Sequence, residues 1–292
     1  MGTREAIMAC IFVAPMVILF LSFSIYPTLF SFYVSFFKYE WLRPEVNRFV
    51  GLANYAEALR EPLLLTGFKN AWYWTVLAMP VAVLYPLAVS VILHRQKRTM
   101  TFFRVVYYVP SVIGGAIWAV IWLWMYNPNV GMINTILHNV FRLKWSQSWL
   151  TDPAWAMPAL VLTGITQLGG AVILFLTGLS SIPDEVREAA SVDGASGWRL
   201  FFSITLPLLK PVLIIVSVPA LAGSLQTFGT MWLMTYGGPG HATYSYVLHA
   251  YKTAFEYGYR RMGYASAQLW LLAIVITGVS LVQFRILRSE RM

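Results

Sequence analysis

The sequence predicts an all-α, polytopic membrane protein with about six transmembrane helices. Hydrophobic residues make up 58% of the 292 residues, and charged residues make up only 11%. Several charge-free apolar runs exceed the roughly 18–20 residues that a helix needs to cross about 30 Å of hydrocarbon. These runs are continuous rather than alternating, which favours helices over the strands of a barrel. Because spans and short connections use up the chain, we expect residues 1–292 to form a single transmembrane domain.

The six predicted spans differ little in length, and the first is too long for a cleaved signal peptide. Their predicted bounds are Ala6–Tyr33, Ala71–Leu93, Val105–Tyr126, Trp155–Leu179, Leu208–Met234 and Gly263–Phe284. Two basic segments flank them, one after the second span and one after the last: Arg95, Lys97, Arg98 and Arg104, and Arg285, Arg288 and Arg291. The positive-inside rule places both segments, and hence both termini, in the cytoplasm. Membrane surface and topology therefore explain the net charge of +9 without a nucleic-acid partner.

The motifs of several function classes are missing from the sequence. There is no phosphate-binding G-x-x-x-x-G-K-[ST] loop and no HExxH or CxxC metal motif. The single cysteine, Cys10, excludes an internal disulfide. Every Asp and Glu falls outside the predicted spans, although ion-driven carriers usually need ionisable groups at depth. We therefore expect no enzyme, metal site or cofactor in this chain. A stand-alone secondary carrier and a lipid-modifying enzyme remain as less favoured alternatives.

A short charged segment between the fourth and fifth spans is unusual in so apolar a chain. It predicts a helix from about Pro183 to Val192, with Ser181 as a helping cap, acidic residues in its first turn and Gly194 as its left-handed stop. One face is small and shallow, which favours docking in a groove of another surface: Val186, Ala189, Ala190 and Asp193. The alternative is an ordinary interfacial helix.

The residue pattern of this segment resembles a known sequence signature. Glu188-Ala189-Ala190, then Gly194, then Ile204, Leu206 and Pro207 match E-A-A-x-x-x-G-x₉-I-x-L-P, which marks the membrane subunits of ATP-binding-cassette importers. The chain is most similar to the carbohydrate-uptake permeases of the maltose and glycerol-3-phosphate permease kind. "FVGLANYAEAL", "YYVPSVIGGAIWAVIWLWMYNPNVGMIN" and "MTYGGPGHAT" extend the resemblance over most of the chain. One departure is Phe228-Gly229, where many members of that family carry Phe-Asp.

The resemblance implies that the charged helix is a cytoplasmic coupling helix, within a loop of about residues 181–207. Such a helix docks on a separate ATP-hydrolysing subunit and tilts the attached spans, so that the cavity opens alternately to the two sides. Glu188 is the expected main polar contact, while Ala189, Ala190 and Gly194 permit close approach. Asp193 and Arg187 are second choices for the same surface.

The resemblance also implies a solute site among polar residues of the later spans. Counting in register with the maltose-permease type places Thr163, Gln167, Ser224 and Thr227 on the cavity, with Gln226, Ser111 and Trp232 as nearby alternatives. Hydroxyl-matching hydrogen bonders and an aromatic face are what a sugar requires. The alternative is that these groups bond one helix to another, as polar residues in membranes often do.

The assembly implied by the resemblance has several partners in a bacterial-type cell (inner) membrane. A second, homologous permease completes the channel, two nucleotide-binding subunits bind ATP and Mg and hydrolyse the ATP, and an extracytoplasmic solute-binding protein delivers a carbohydrate. This chain contacts lipid and is a translocation subunit, not the ATPase. A polyol or a glycerophosphodiester is the alternative solute.

Overall fold

The computed structural model describes residues 3–94, 100–142 and 147–289. Nearly all of its regular structure is helical, which confirms the predicted all-α class. A two-residue antiparallel ladder joins β1 (Phe37–Lys38) to β2 (Arg48–Phe49) in the loop after the first span. Of the two basic segments, Arg95, Lys97, Arg98 and Arg291 lie outside the described residues.

The first span is a long helix interrupted by a π turn. α1 (Thr3–Phe20) continues through the π turn Leu21–Ile25 into α2 (Tyr26–Ser35). Pro27 accounts for the turn, because proline has no N–H to donate and its ring crowds the carbonyl four residues earlier. None of the most apolar window of this span is buried within the chain.

The second span is continuous, as predicted. After α3 (Ala53–Ala58), α4 runs over Pro62–His94 and contains Pro80 and Pro86 without a break. Its length exceeds what a 30 Å hydrocarbon layer requires.

The third and fourth spans are broken, so the predicted continuous helices are wrong at their centres. α5 (Met100–Ser111) and α6 (Gly115–Met125) meet at 103°. After α7 (Met132–Asn139), α8 (Pro153–Thr163) and the 3₁₀ turn Gly164–Gln167 meet α9 (Gly169–Ser180) at 53°. A glycine pair lies at each break, where the absence of Cβ atoms weakens the helix and lets the backbone turn.

The fifth span ends earlier than predicted. α10 (Asp184–Val192) and α11 (Gly197–Leu200) lead through the π turn Phe201–Thr205 to α12 (Leu206–Leu208), which meets α13 (Lys210–Leu225) at 71°. The predicted Leu208–Met234 helix is therefore bent at Leu209 and stops at Leu225. The residues 226–228 are not helical, and α14 (Gly229–Met234) is a separate short helix.

The chain closes with α15 (Tyr246–Phe255) and α16 (Met262–Ser289), which contains the last span as predicted. Among the described residues, three helices are long and apolar enough to cross a membrane alone. Each of the three bent pairs supplies one more span if the pair is counted together, which gives the expected six.

Backbone contacts divide the chain into two compact units. The first comprises Met1–Leu65 and His249–Ile274, and a clamp of charged groups ties its two segments together. Arg261 donates two hydrogen bonds to the carboxylate of Glu57, at 2.7 and 2.6 Å, and this bonding raises the pKa of Arg261. The guanidinium of Arg43 stacks on the Tyr259 ring at 3.2 Å in the same unit.

The second unit comprises Thr66–Leu248 and Val275–Met292 and holds every residue predicted for coupling or solute binding. One buried cluster at its centre includes Trp118, Met157 and Met231. α6, α8 and α14 each contribute to that cluster, so these three helices are packed against one another.

Within this second unit, α5 and α9 approach each other closely where α9 begins. A Cβ atom on Gly169 would overlap the carbonyl oxygen of Tyr107 in α5. The glycine is therefore required by packing, since no larger residue leaves room for the two backbones to meet at this distance.

We predict that Gly169→Ala destabilises the protein by about 1–3 kcal/mol, because the added methyl group must push α5 and α9 apart. A thermal melt of the purified protein in detergent measures the change. Gly170→Ala is the matched control, since a Cβ atom there has no neighbour within 4 Å. Equal melting temperatures for the two variants would contradict the packing role of Gly169.

Candidate functional site

α10 is exposed along most of its length. Of its nine residues only Ala190 is buried, and Arg187 is half-buried. A helix this short is not stable by itself. Its termini must therefore be fixed by local interactions.

The sequence of α10 fixes both ends. Pro183 occupies the N-cap position, and Asp184 and Glu185 lie in the first turn, where carboxylates stabilise the positive end of the helix dipole. The predicted help from Ser181 is wrong, because its hydroxyl donates to the Gly178 carbonyl of α9 at 2.8 Å. A serine near a helix C-terminus bonds back along its own helix in this way.

The C-terminus of α10 is a complete Schellman motif. The N–H of Ala195 donates to the Ala190 carbonyl at 2.9 Å, and that of Gly194 donates to the Ser191 carbonyl at 3.1 Å. Gly194 has φ +78°, the left-handed conformation predicted for it. The chain then leaves the helix in a sharply defined direction.

The residues predicted to contact an ATPase divide into two groups. Glu188, Ala189, Asp193 and Gly194 are exposed, and a Cβ atom at Gly194 would meet nothing within 4 Å. Ala190 is 8% exposed and faces its own chain. Sequence reasoning missed Val192, whose apolar side chain is 88% exposed beside these residues.

Arg187 also faces its own chain. Its Nη1 lies 3.2 Å from Nε2 of His94, the last residue of α4, and 3.9 Å from an Asp184 carboxylate oxygen. Beside this contact lies a cleft of about 1070 Å³, which Glu188 also lines. No sequence signal pointed to His94, because a histidine at a span end is usually an interfacial residue.

The breaks of the third and fourth spans lie together. Nε2 of Gln167, at the end of the 3₁₀ turn, donates to the Pro110 carbonyl at 3.4 Å. Nε1 of Trp118 donates to the Thr166 hydroxyl at 2.9 Å. Ser111, beside Pro110, bonds back to the Tyr108 carbonyl. Gln167 and Ser111 are therefore neighbours in the fold, and their contact with a solute stays a prediction.

The residues 226–228, which follow α13, form a further non-helical segment in this unit. Gln226 is exposed, and its amide donates to the Ala222 carbonyl at 3.0 Å. Thr227 is half-buried. The ring of Trp232 is stacked on Phe228, with centroids 5.6 Å apart and an interplanar angle of 15°. This segment and the first turn of α14 together offer an amide, a hydroxyl and an aromatic pair within seven residues.

Two other candidates are used within the protein. Thr163 is fully buried, and its hydroxyl donates to the Leu160 carbonyl. Ser224 is 8% exposed, and its Oγ lies 3.0 Å from Thr75 Oγ1, in α4. The Ser224–Thr75 contact joins α13 to α4, which is the alternative expected from the sequence, whereas the bond of Thr163 lies within α8. A role for either residue in solute contact stays a prediction.

Glycines not singled out in the sequence accompany the breaks of the third and fourth spans and the segment 226–228. At six of them, an added Cβ atom would have no neighbour within 4 Å: Gly114, Gly115, Gly164, Gly170, Gly223 and Gly229. We define the break region as these glycines with Ser111, Gln167, Gln226 and Thr227. Its backbone borders open space, and the paired glycines in the sequence were the signal for it.

Comparisons with known proteins agree with this architecture. The profile of the family described as binding-protein-dependent transport system inner membrane component matches residues 71–289. The probable ABC transporter permease YurN of Bacillus subtilis is 30% identical over 294 residues, covering 100% of this chain and 99% of that protein. The sn-glycerol-3-phosphate transport system permease UgpA of Agrobacterium fabrum is 30% identical over 286 residues, covering 97% and 96%.

A solved structure shares the fold. A chain of a bacterial alginate ABC transporter, crystallised with its alginate pentasaccharide-bound periplasmic protein, superposes with a TM-score of 0.81 at 20% identity, covering 98% of this chain and 96% of that one. The match of the family profile over most of the chain and the full-length relatives decide the assignment. This chain belongs to the binding-protein-dependent transport system inner membrane components, the permease subunits of ABC transporters.

Proposed function

We propose that the chain forms half of the translocation pathway of an ATP-driven importer for a carbohydrate or a related polyhydroxy solute. The observation that carries this proposal is α10, a capped and exposed helix that bears the Glu188–Ala189–Ala190 signature on an otherwise apolar chain. α10 is the coupling helix, and it docks on a separate ATPase subunit. The chain itself binds no ATP and no Mg.

The contact between Arg187 and His94 supports a cytoplasmic position for α10. His94 ends α4 and is followed in the sequence by Arg95, Lys97 and Arg98. A basic segment between two spans is retained in the cytoplasm by the positive-inside rule. α10 lies at the same end of the molecule as His94, and both termini follow on that side from the count of six spans.

The exposed surface of α10 has the composition expected of a docking surface. Glu188 supplies one charge, Ala189 and Gly194 allow a partner backbone to approach, and Val192 offers an apolar contact. When two ATPase subunits close on ATP, such a helix moves with them and tilts the spans joined to it. The pathway then opens alternately to the two sides.

The break region supports the assignment of the solute pathway. Non-helical backbone within a membrane is tolerated only where it is buried in protein or lines a water-filled cavity. The glycines of the break region border open space, while the neighbouring Gln167 and Thr227 supply hydrogen-bonding groups and Trp232 an aromatic face. Those groups suit a polyhydroxy solute.

The partners follow from this half-channel design. One chain offers one wall of a cavity, so a second, homologous permease supplies the other. The relatives named for glycerol-3-phosphate and alginate, the latter crystallised with a periplasmic protein, support an extracytoplasmic binding protein and a carbohydrate or polyol-type solute. A glycerophosphodiester is the alternative solute.

We predict that Glu188→Ala and Gly194→Asp abolish ATP-driven uptake while the protein still inserts into the membrane. Glu188→Ala removes the proposed polar contact with the ATPase subunit, and Gly194→Asp places a side chain at φ +78° on the docking surface. Uptake into proteoliposomes of a panel of labelled sugars and polyols, with the partner subunits present, measures the effect.

Glu185→Ala is the matched control for Glu188→Ala, since it removes an exposed carboxylate from the same helix. Full uptake by both Glu188→Ala and Gly194→Asp would refute the coupling role of α10. Uptake by the purified chain alone, without ATP or partner subunits, would establish a secondary carrier instead.

We also predict that Gln167→Ala or Thr227→Ala raises the solute concentration for half-maximal uptake about three- to tenfold, because each removes one hydrogen bond to the solute. The measurement is the concentration dependence of uptake in the same proteoliposomes. Thr177→Val, which removes an exposed hydroxyl of α9 outside the break region, is the control. Unchanged kinetics in both variants would exclude this pocket.

A further inference from the structure

α10 has few attachments to the rest of the chain. Before it, residues 181–183 lead from α9, and after it the left-handed Gly194 and Gly197, at φ +78° and +52°, lead to α11. Glycines in that conformation, each with open space beside it, define a direction but add no packing. Ile182, just before α10, packs against the buried cluster that includes Leu87 and Leu179 and holds the start of the helix, whereas the two glycines add no packing after its C-terminal end.

Only two residues of α10 turn inwards. Arg187 and Ala190 are three positions apart, which places them on one face of the helix. Ala190 makes an apolar contact of small area. Arg187 is the larger attachment, and it reaches across the margin of the 1070 Å³ cleft to the end of α4.

The chemistry of the Arg187–His94 contact has a defined direction. A guanidinium has only donors, so at 3.2 Å Nη1 donates and His94 Nε2 accepts. Asp184 lies 3.9 Å from the same Nη1 and is 75% exposed, so it orients the arginine but adds little binding energy. A bond from a charged donor is stronger than a neutral one.

We propose that Arg187 is not a docking contact but a positioning residue, which ties α10 to the second span through His94. This tie, the hydrogen bond between Arg187 and His94, makes the end of α4 move together with the coupling helix. Motion of α10 is then transmitted to α4 as well as to the flanking spans. This proposal rests on the proposed coupling function of α10 and adds the route by which its motion reaches a third span.

The test uses spin labels in the assembled transporter. Cys10→Ser removes the single native cysteine. Glu185→Cys on α10 and Ile92→Cys on α4, both exposed, then carry the labels. The distance between them is measured by electron paramagnetic resonance without nucleotide and after trapping with ATP and vanadate.

With the tie intact, we expect a narrow distance distribution that stays the same in both states, because α10 and the end of α4 move together. His94→Leu and Arg187→Met remove the acceptor and the donor, and each should broaden the distribution and shift it on trapping. The two substitutions combined should do no more than either alone, since both remove the same bond.

His94→Gln is the rescue variant, because its side-chain oxygen accepts a hydrogen bond near the position of Nε2. It should restore the narrow, unchanged distance, which a merely space-filling role of His94 does not predict. A native protein whose distance shifts on trapping, or a His94→Leu variant that keeps the native distribution, would overturn the tie.

Glu188→Ala in the same labelled background separates the two proposals. If α10 couples the ATPase, this variant loses ATP-driven uptake and keeps the native label distance in the absence of nucleotide. If ATPase subunits do not copurify with the native chain, the coupling function fails. If the ATPase subunits do copurify and the His94 variants keep the native label distances, the coupling function stands and only the proposed tie is refuted.

Discussion

The need to satisfy backbone hydrogen bonds without water governs this structure. A helix break in a membrane frees N–H and C=O groups that lipid cannot pair. Here the freed groups and the side chains beside them bond to one another, Gln167 to the Pro110 carbonyl and Trp118 to Thr166. The third and fourth spans break at neighbouring places, so each break supplies hydrogen-bonding partners for the other. The same packing leaves polar groups beside open space.

The same constraint explains why α10 is built as it is. A short charged helix outside the apolar layer has no large buried face, so its stability comes from its ends, through the carboxylates of the first turn and the Schellman motif at Gly194. An element held in this way moves as one piece. A rigid, exposed helix joined to the spans is suited to carry motion from a soluble partner into the membrane.

The sequence predicts elements that are local and misses contacts that are not. α10 and its left-handed stop follow from residue types within a few positions, and the structure confirms both to within one residue. The broken spans were predicted as continuous helices. An apolar run indicates that a segment lies in the membrane, but it does not show where the helix changes direction. In the third and fourth spans, the pairs Gly114–Gly115 and Gly169–Gly170 were the sequence signal for the breaks.

The candidate site shows the same division. Gln167 and Ser111 were predicted and lie together. Nothing in the sequence shows that the hydroxyls of Thr163 and Ser224 form hydrogen bonds within the protein. Bonds between residues far apart in the sequence decide such cases. The contact of His94 with Arg187, 93 positions away, is of that kind.

The water accessibility of the break region tests most directly whether it lines the pathway. In a Cys10→Ser background, Gly170→Cys is compared with Val120→Cys, which is 65% exposed on the apolar surface of α6. A membrane-impermeant thiol reagent should modify Gly170→Cys in the assembled transporter, at a rate that changes when ATP and vanadate trap the closed state. Val120→Cys, which lies outside the break region, should stay unmodified. A Gly170→Cys variant that resists the reagent in both states would show that the open space beside these glycines is not a water-filled pathway.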